Sequence, residues 1–250
     1  MYDERHKDNA YHKAHYGSPA EFGYKDICGL FSAEKFDPED IIRLVQKAGG
    51  KYFLTLANHH DNFDNFDSRY QPDLVCFDES VGNLHDLGAK MGLGLYRLSP
   101  WLLAHYYNLS AKWHGKKPNG VMTMKDVSGA FNSVGDENMY PILHQAFVNG
   151  IEKGTEEEIA DYPFQTEDSL AEWHYQKGMT YKSAEYIICQ LADVISRNGN
   201  LSICIPQHAD GSIDPDARRI CELIGAWMDT NGEAVYETRP FEVFGEEQIR

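Results

Sequence analysis

Basic residues are scarce in this chain: Lys and Arg number 23 against 39 Asp and Glu, a formal net charge of -16. Phosphate backbones and anionic lipid surfaces require clustered cations, so neither nucleic acid nor membrane is an expected partner. No run of about 18 apolar residues occurs, which leaves no candidate membrane-spanning helix. The opening stretch, "MYDERHKDNAYHKAHYG", is polar and lacks the apolar centre of a secretory signal peptide. Cysteine is sparse and odd in number, at positions 28, 76, 189, 204 and 221. No C-x-x-C pair exists, so these residues read as small buried hydrophobes and not as a disulfide or zinc framework. A Gly-rich phosphate loop, a G-x-S-x-G elbow, short repeats, low-complexity tracts and an interdomain linker are also missing. What remains is a 250-residue chain, 42% hydrophobic, which is enough for one core.

Helices and apolar strands alternate along much of it. "FDPEDIIRLVQKAGGKYFLTLANHH" has Asp37 as N-cap and Pro38 at the first helical position. Ile41, Ile42, Leu44 and Val45 supply an apolar stripe, and Gly49-Gly50 ends the helix. A strand over Lys51 to Ala57 follows. "KSAEYIICQLADVISRNGNLSICIP" repeats the scheme: Ile187, Ile188, Leu191 and Ile195 face inward, Asn198-Gly199 stops the helix, and Leu201 to Ile205 is a strand. Asp214 and Pro215 open another helix, with Ile220, Leu223, Ile224 and Trp227 on one face. Ser99-Pro100 opens a helix to about Trp113, leading to an apolar run at Gly120 to Met124. Leu74 to Phe77 is a further short strand. This alternation predicts an α/β fold with parallel strands. Strands are visible near 51, 74, 120 and 201 only. Residues 1 to 35 and 128 to 182 read as polar and loop-like. A closed (β/α)8 barrel needs eight strands, so the expectation is an incomplete barrel.

The polar groups that follow these strands are the candidates for chemistry. His59-His60-Asp61 comes directly after the first strand, and strand C-terminal ends build the site in α/β barrels. These histidines also suit an ordinary loop. Asp78 and Glu79 follow "DLVCF"; a carboxylate there suits a nucleophile, a metal ligand or a helix N-cap. In "IEKGTEEEIADYPFQTEDS" most acids read as solvated surface, with one able to act as general acid if a pocket desolvates it. Trp173 and Tyr175 in "EWHY" fit either a sugar-stacking platform or plain packing. A metal-dependent hydrolase using His59, His60 and Asp78 ranks low, because their spacing lacks a helical or alternate-strand ligand pattern.

Taken together, "FGYKDICGLFSAEKFDPEDIIRLVQKAGGKYFLTLANHHDNFDNFDS", "YQPDLVCFD", "YPFQTEDSLAEWHY", "YKSAEYIICQLADVISRNGNLSICIP" and "IGAWMDTNGEAVYETRPF" closely resemble the α-L-fucosidases of glycoside hydrolase family 29, in family order. The resemblance implies a (β/α)8 TIM-like catalytic domain that hydrolyses terminal α-linked L-fucose with retention and without a metal or other cofactor. It implies Asp78 as nucleophile, and His59 and His60 as hydrogen-bonding ligands of the fucose hydroxyls. Glu152, at the place of the Glu in an "ERG" of relatives, becomes the acid/base, with Glu156, Glu157 and Glu158 close by. Trp173 would line the sugar pocket. The implied partner is a fucosylated glycan or glycoconjugate. Family members are often secreted, periplasmic or lysosomal.

The sequence departs from the family pattern in several places. "FDSxYQP" and "YQPDLxxFD", separate in relatives, are fused here at one shared "YQP", which reads as an internal deletion near residues 70–73 of a single domain spanning 1–250. Asn62 stands where the motif has Gly, and residues 128–150 have no clear counterpart. The first barrel strand and the later β-sandwich of relatives are not matched either. Two functional readings therefore stand: a fucosidase-like retaining hydrolase, and a non-catalytic remnant or fucose-binding pseudoenzyme. Uncovered strand edges and helix faces predict self-association. The remaining expectation concerns pairing: Leu74 to Phe77 should lie parallel to Lys51–Ala57, since a hairpin would send the histidines and Asp78 to opposite ends.

Overall fold

The computed structural model describes residues 2–5, 7–54, 56–58, 71–77, 99–117, 119–125 and 146–245. Within these the elements are α1 (Lys7–Tyr16), α2 (Tyr24–Cys28), α3 (Pro38–Lys47), β1 (Leu56–Asn58), β2 (Leu74–Phe77), α4 (Ser99–Trp113), β3 (Val121–Lys125), β4 (Val148–Glu152), β5 (Phe164–Ser169), α5 (Ala184–Ser196), β6 (Gly199–Cys204) and α6 (Pro215–Asn231). The six strands form one sheet in the order β1-β2-β3-β4-β5-β6, and every neighbouring pair is parallel. Sequential parallel order means that each crossover steps the same way. That winding belongs to barrels; a doubly wound sheet reverses its strand order.

The sheet curls. β2 and β5 are three strand spacings apart, which in a flat sheet is about 14 Å. Yet Cys76 Sγ on β2 lies 3.6 Å from Glu167 Oε1 on β5. Tyr52, just ahead of β1, donates its hydroxyl to Gln165 Oε1 on β5 at 3.2 Å. The architecture is thus an incomplete (β/α)8 TIM-like barrel, as the alternation of elements predicts.

Two apolar clusters hold the helices on the outside. Val75, Met122 and Met124 of β2 and β3 pack with Tyr106 of α4 and with Phe147. Leu44 of α3, Ala184 and Ile187 of α5, and Ala217, Ile220 and Cys221 of α6 enclose Leu170, the residue that follows β5. The caps form as the sequence indicates. Asp37 accepts from the Asp40 amide at 3.0 Å and Asp214 from Asp216 at 2.9 Å, with Pro38 and Pro215 at the helix starts; Ser183, not singled out in the sequence, caps α5 by accepting from Tyr186 at 3.2 Å. Asn198 takes the left-handed conformation that ends α5, at φ 75°. Gly199 follows because a methyl there would lie 2.4 Å from Phe164 Cζ. At Gly225 a methyl would lie 2.1 Å from the Lys47 carbonyl oxygen, so α3 and α6 meet backbone to backbone.

Some expectations need correction. Among the described residues, the strand expected over Lys51 to Ala57 pairs at Leu56–Asn58 and not at 51–54. Residues 1 to 35 hold helices α1 and α2, and 128 to 182 hold β4 and β5, so neither stretch is simply loop. On α6 the buried face is Ala217, Ile220, Cys221 and Met228, while Leu223 is exposed. The helix is rotated because Gly225, and not Leu223, faces the C-terminal turn of α3. The parallel pairing of β1 with β2 is as expected, with Leu56 opposite Cys76 and Asn58 opposite Phe77.

Candidate active site at the C-terminal edge of the sheet

Because all the strands are parallel, their C-terminal ends share one edge, the edge that carries catalytic groups in α/β barrels. Register fixes which side chains meet on the inner face. Lys125, Gly150 and Gln165 are at one level, and Glu152 and Glu167 face each other one level further along. Two carboxylates directly opposite on paired strands repel. Lys125 relieves this: its Nζ is 3.0 Å from Glu152 Oε2 and 4.0 Å from Glu167 Oε2.

Glu152 is the last residue of β4, and Trp173 lies just beyond β5. The Trp173 indole N–H donates to Glu152 Oε1 at 2.9 Å. Two residues singled out separately in the sequence are therefore in direct contact. Both oxygens of Glu152 accept hydrogen bonds, one from the Lys125 ammonium and one from the indole. The chain turns sharply after it: Lys153 has φ 53°, and its amide donates to the Glu167 carbonyl at 2.9 Å. Left-handed backbone at a non-glycine residue is costly and gathers at functional sites. The Lys153 and Lys125 ammonium groups lie 5.2 and 5.6 Å from the Trp173 ring centroid.

Behind this pair runs a polar chain across the sheet interior. Tyr52 donates to Gln165 Oε1, and Gln165 Nε2 donates to Glu167 Oε1 at 2.9 Å. Although Tyr52 as a whole is 39% exposed, desolvation of its phenol first, then the nearby Glu167 carboxylate, pushes that phenol up to about 12. It therefore remains a donor at neutral pH and orients the Gln165 amide toward Glu167. On the other face of β5, Asp168 is only 2% exposed. It accepts from Lys182 Nζ at 2.6 Å, the Ser169 amide at 2.7 Å and Gln190 Nε2 at 2.9 Å. Burial alone would raise its pKa, but these hydrogen bonds outweigh it and hold the carboxyl below its ordinary range.

The acids of this segment were expected mostly at the solvated surface. That holds for Glu152, Glu157, Glu158 and Asp161, which are exposed; Asp168 is the buried exception, and Glu167, with a side chain 14% exposed, is largely covered as well. Lys125, Gln165, Glu167 and Tyr52 were not singled out in the sequence at all. The available signals were modest: Lys125 closes the apolar run "VMTMK", and Gln165 and Glu167 alternate on one strand face. Glu156, Glu157 and Glu158 lie in the connection between β4 and β5, beyond the strand end. His59, His60 and Asp78 lie outside the described residues. In sequence, His59 directly follows Asn58 of β1, and Asp78 directly follows Phe77 of β2. Among the described residues no three His, Cys, Asp or Glu side chains are grouped as a metal site requires.

Comparison with known proteins gives this edge a context. The family model described as Alpha-L-fucosidase matches residues 1–72 and 68–233. Tissue alpha-L-fucosidase of Rattus norvegicus is 26% identical over 290 residues, an alignment covering 91% of this chain and 61% of the rat protein. That of Homo sapiens is 25% identical over 284 residues, covering 90% and 60%. The chain therefore spans about three fifths of the length of these curated relatives. Among solved structures, Thermotoga maritima alpha-fucosidase in complex with a mechanism based inhibitor superposes with a TM-score of 0.62 at 19% identity, covering 96% of this chain and 66% of that one. The structural likeness extends the fold assignment, and the match of the family model along residues 1–233 establishes descent: the chain belongs to the alpha-L-fucosidase family.

Proposed function

We propose that this chain is a retaining glycoside hydrolase that releases terminal L-fucose from fucosylated glycans or glycoconjugates. The observation that carries the reading is the Glu152–Trp173 contact at the edge where β1 and β2 end one residue before His59 and Asp78. In this reading Asp78 attacks the anomeric carbon as Glu152 protonates the departing glycosidic oxygen. Glu152 then takes a proton from the water that cleaves the fucosyl-enzyme ester. His59 and His60 hold the fucose hydroxyls, and Trp173 offers an aromatic wall to the sugar. No cofactor is needed, since two carboxylates supply both the nucleophile and the proton.

A second reading, a fucose-binding remnant without turnover, is favoured by one specific observation. The family match falls into two pieces that overlap at residues 68–72, the stretch "SRYQP" where the two motifs are fused. The rat alignment is 290 residues long although only 91% of a 250-residue chain enters it, so about 60 positions of the relative have no counterpart within the aligned part of this chain. Both facts support an internal deletion near 70–73. Incubating the purified chain with an aryl α-L-fucoside separates the readings. Release of the aryl alcohol with α-L-fucose as first product supports the hydrolase; calorimetric binding of fucose with no release supports the remnant; neither signal refutes both.

Self-association belongs to the same proposal. Within the described sheet β1 and β6 are the end strands, and Trp101 on α4 is 76% exposed. Sheet edges and large exposed aromatics recruit further copies. The sedimentation coefficient should rise with concentration; a constant monomer value with one sharp melt would contradict this.

A further inference from the structure

Lys125 stands between two carboxylates at unequal distances. Its ammonium is 3.0 Å from Glu152 Oε2 and 4.0 Å from Glu167 Oε2. The two acids are not equivalent. Glu167 is held from behind, its Oε1 taking Gln165 Nε2 at 2.9 Å and the Cys76 thiol at 3.6 Å. Gln165 is in turn held by Tyr52. Glu152 sits nearer the solvent, with its side chain 46% exposed, and among the described residues the indole of Trp173 is the partner of its other oxygen.

We propose that Lys125 is a positioning residue shared by Glu152 and Glu167, with Glu167 as the fixed seat for its ammonium whenever Glu152 carries a proton. The proposal rests on the fucosidase reading for its use: an acid/base must hold a proton in one half of the cycle and lack it in the other. A lysine on a flexible stem can cross an ångström between two carboxylates without a backbone change. When Glu152 is charged, Lys125 steadies it. When Glu152 is protonated, Lys125 turns to Glu167, so its ammonium no longer opposes that proton. The charged and titratable groups facing the pair among the described residues are Lys125 from β3, Lys153 after β4, Cys76 from β2 and Tyr52 ahead of β1.

The test needs no turnover, because the Trp173 indole N–H reports on Glu152 directly. Its proton–nitrogen NMR peak, identified by its loss in Trp173→Phe, should move with pH and cease to move in Glu152→Gln. Its midpoint belongs to the coupled carboxylates. Glu167→Gln should move that midpoint down and Lys125→Met should move it up. Lys125→Arg, which keeps the charge, should stay close to wild type and serves if Lys125→Met does not fold. The decisive comparison is the double variant. The Glu167→Gln shift should be clearly smaller in the Lys125→Met background, or beside Lys125→Arg if that is the background which folds, where the rigid fork spans both acids. Equal shifts with and without a mobile lysine, or no shift on removing Lys125, would overturn the proposal. Absence of aryl fucoside cleavage alone would instead count against the fucosidase reading.

Discussion

In an Asp78→Ala variant, cleavage of an activated aryl α-L-fucoside should fall by on the order of 10^4-fold or more, the scale seen when a covalent enzyme loses its nucleophile. The alanine leaves a space at the anomeric carbon that a small anion can enter. Azide should therefore restore part of the activity and yield a fucosyl azide of inverted configuration. Glu152→Ala should behave in the opposite way toward leaving groups. A poor leaving group needs the proton, so natural glycans should lose about 10^2- to 10^4-fold in rate. An activated aryl group departs without that proton and should be largely spared in the first step. The pair of signatures assigns both roles in one experiment. If Glu152→Ala left both substrates unaffected, the acid/base would have to be sought at Glu156, then Glu157, then Glu158. Full activity in Asp78→Ala would remove the central residue of the proposed mechanism.

The largest effect on stability is expected at Asp168. Its carboxylate is 2% exposed and takes three hydrogen bonds, from Lys182, the Ser169 amide and Gln190. Asp168→Ala strips the partner from an ammonium and two amide N–H groups that were placed to meet it. Breaking a buried pair from one side costs about 3–5 kcal/mol, a large share of the roughly 5–15 kcal/mol that a folded domain has in total. Chemical denaturation should show this as a lower midpoint. The loss should be partly recovered in Asp168→Asn with Lys182→Met, since removing both charges leaves no orphan. A double variant as unstable as the single one would show that packing, and not the unpaired charge, dominates. The sign with pH follows from the depressed carboxyl. The folded protein holds Asp168 ionised below its ordinary range, so its contribution is complete above the unfolded value of about 3.9. It is lost as pH falls from there through the lower folded value. The unfolding free energy should therefore drop more steeply below about pH 4 in wild type than in Asp168→Asn.

Much of the outer layer was legible because its signals are local. Capping by Asp37 and Asp214 ahead of proline needs only neighbouring residues, and those helices start where expected. The parallel pairing of β1 and β2 followed from a chemical requirement that their ends share one edge, and the register agrees. β4 and β5 were not legible. Their inner faces carry Gly150, Glu152, Gln165 and Glu167, and the outer face of β5 carries Asp168. An apolar period could not appear where both faces hold polar groups satisfied by partners distant in the chain. Sequence by itself determined the family, the helix starts, the parallel α/β order, and Glu152 and Trp173 as candidates. Only the tertiary structure decided that those two touch, that Glu167 stands opposite Glu152, and that Lys125 serves both. Hydrogen-bond and charge complementarity across strands depends on register and curl, and neither is encoded in the spacing of residues along one segment.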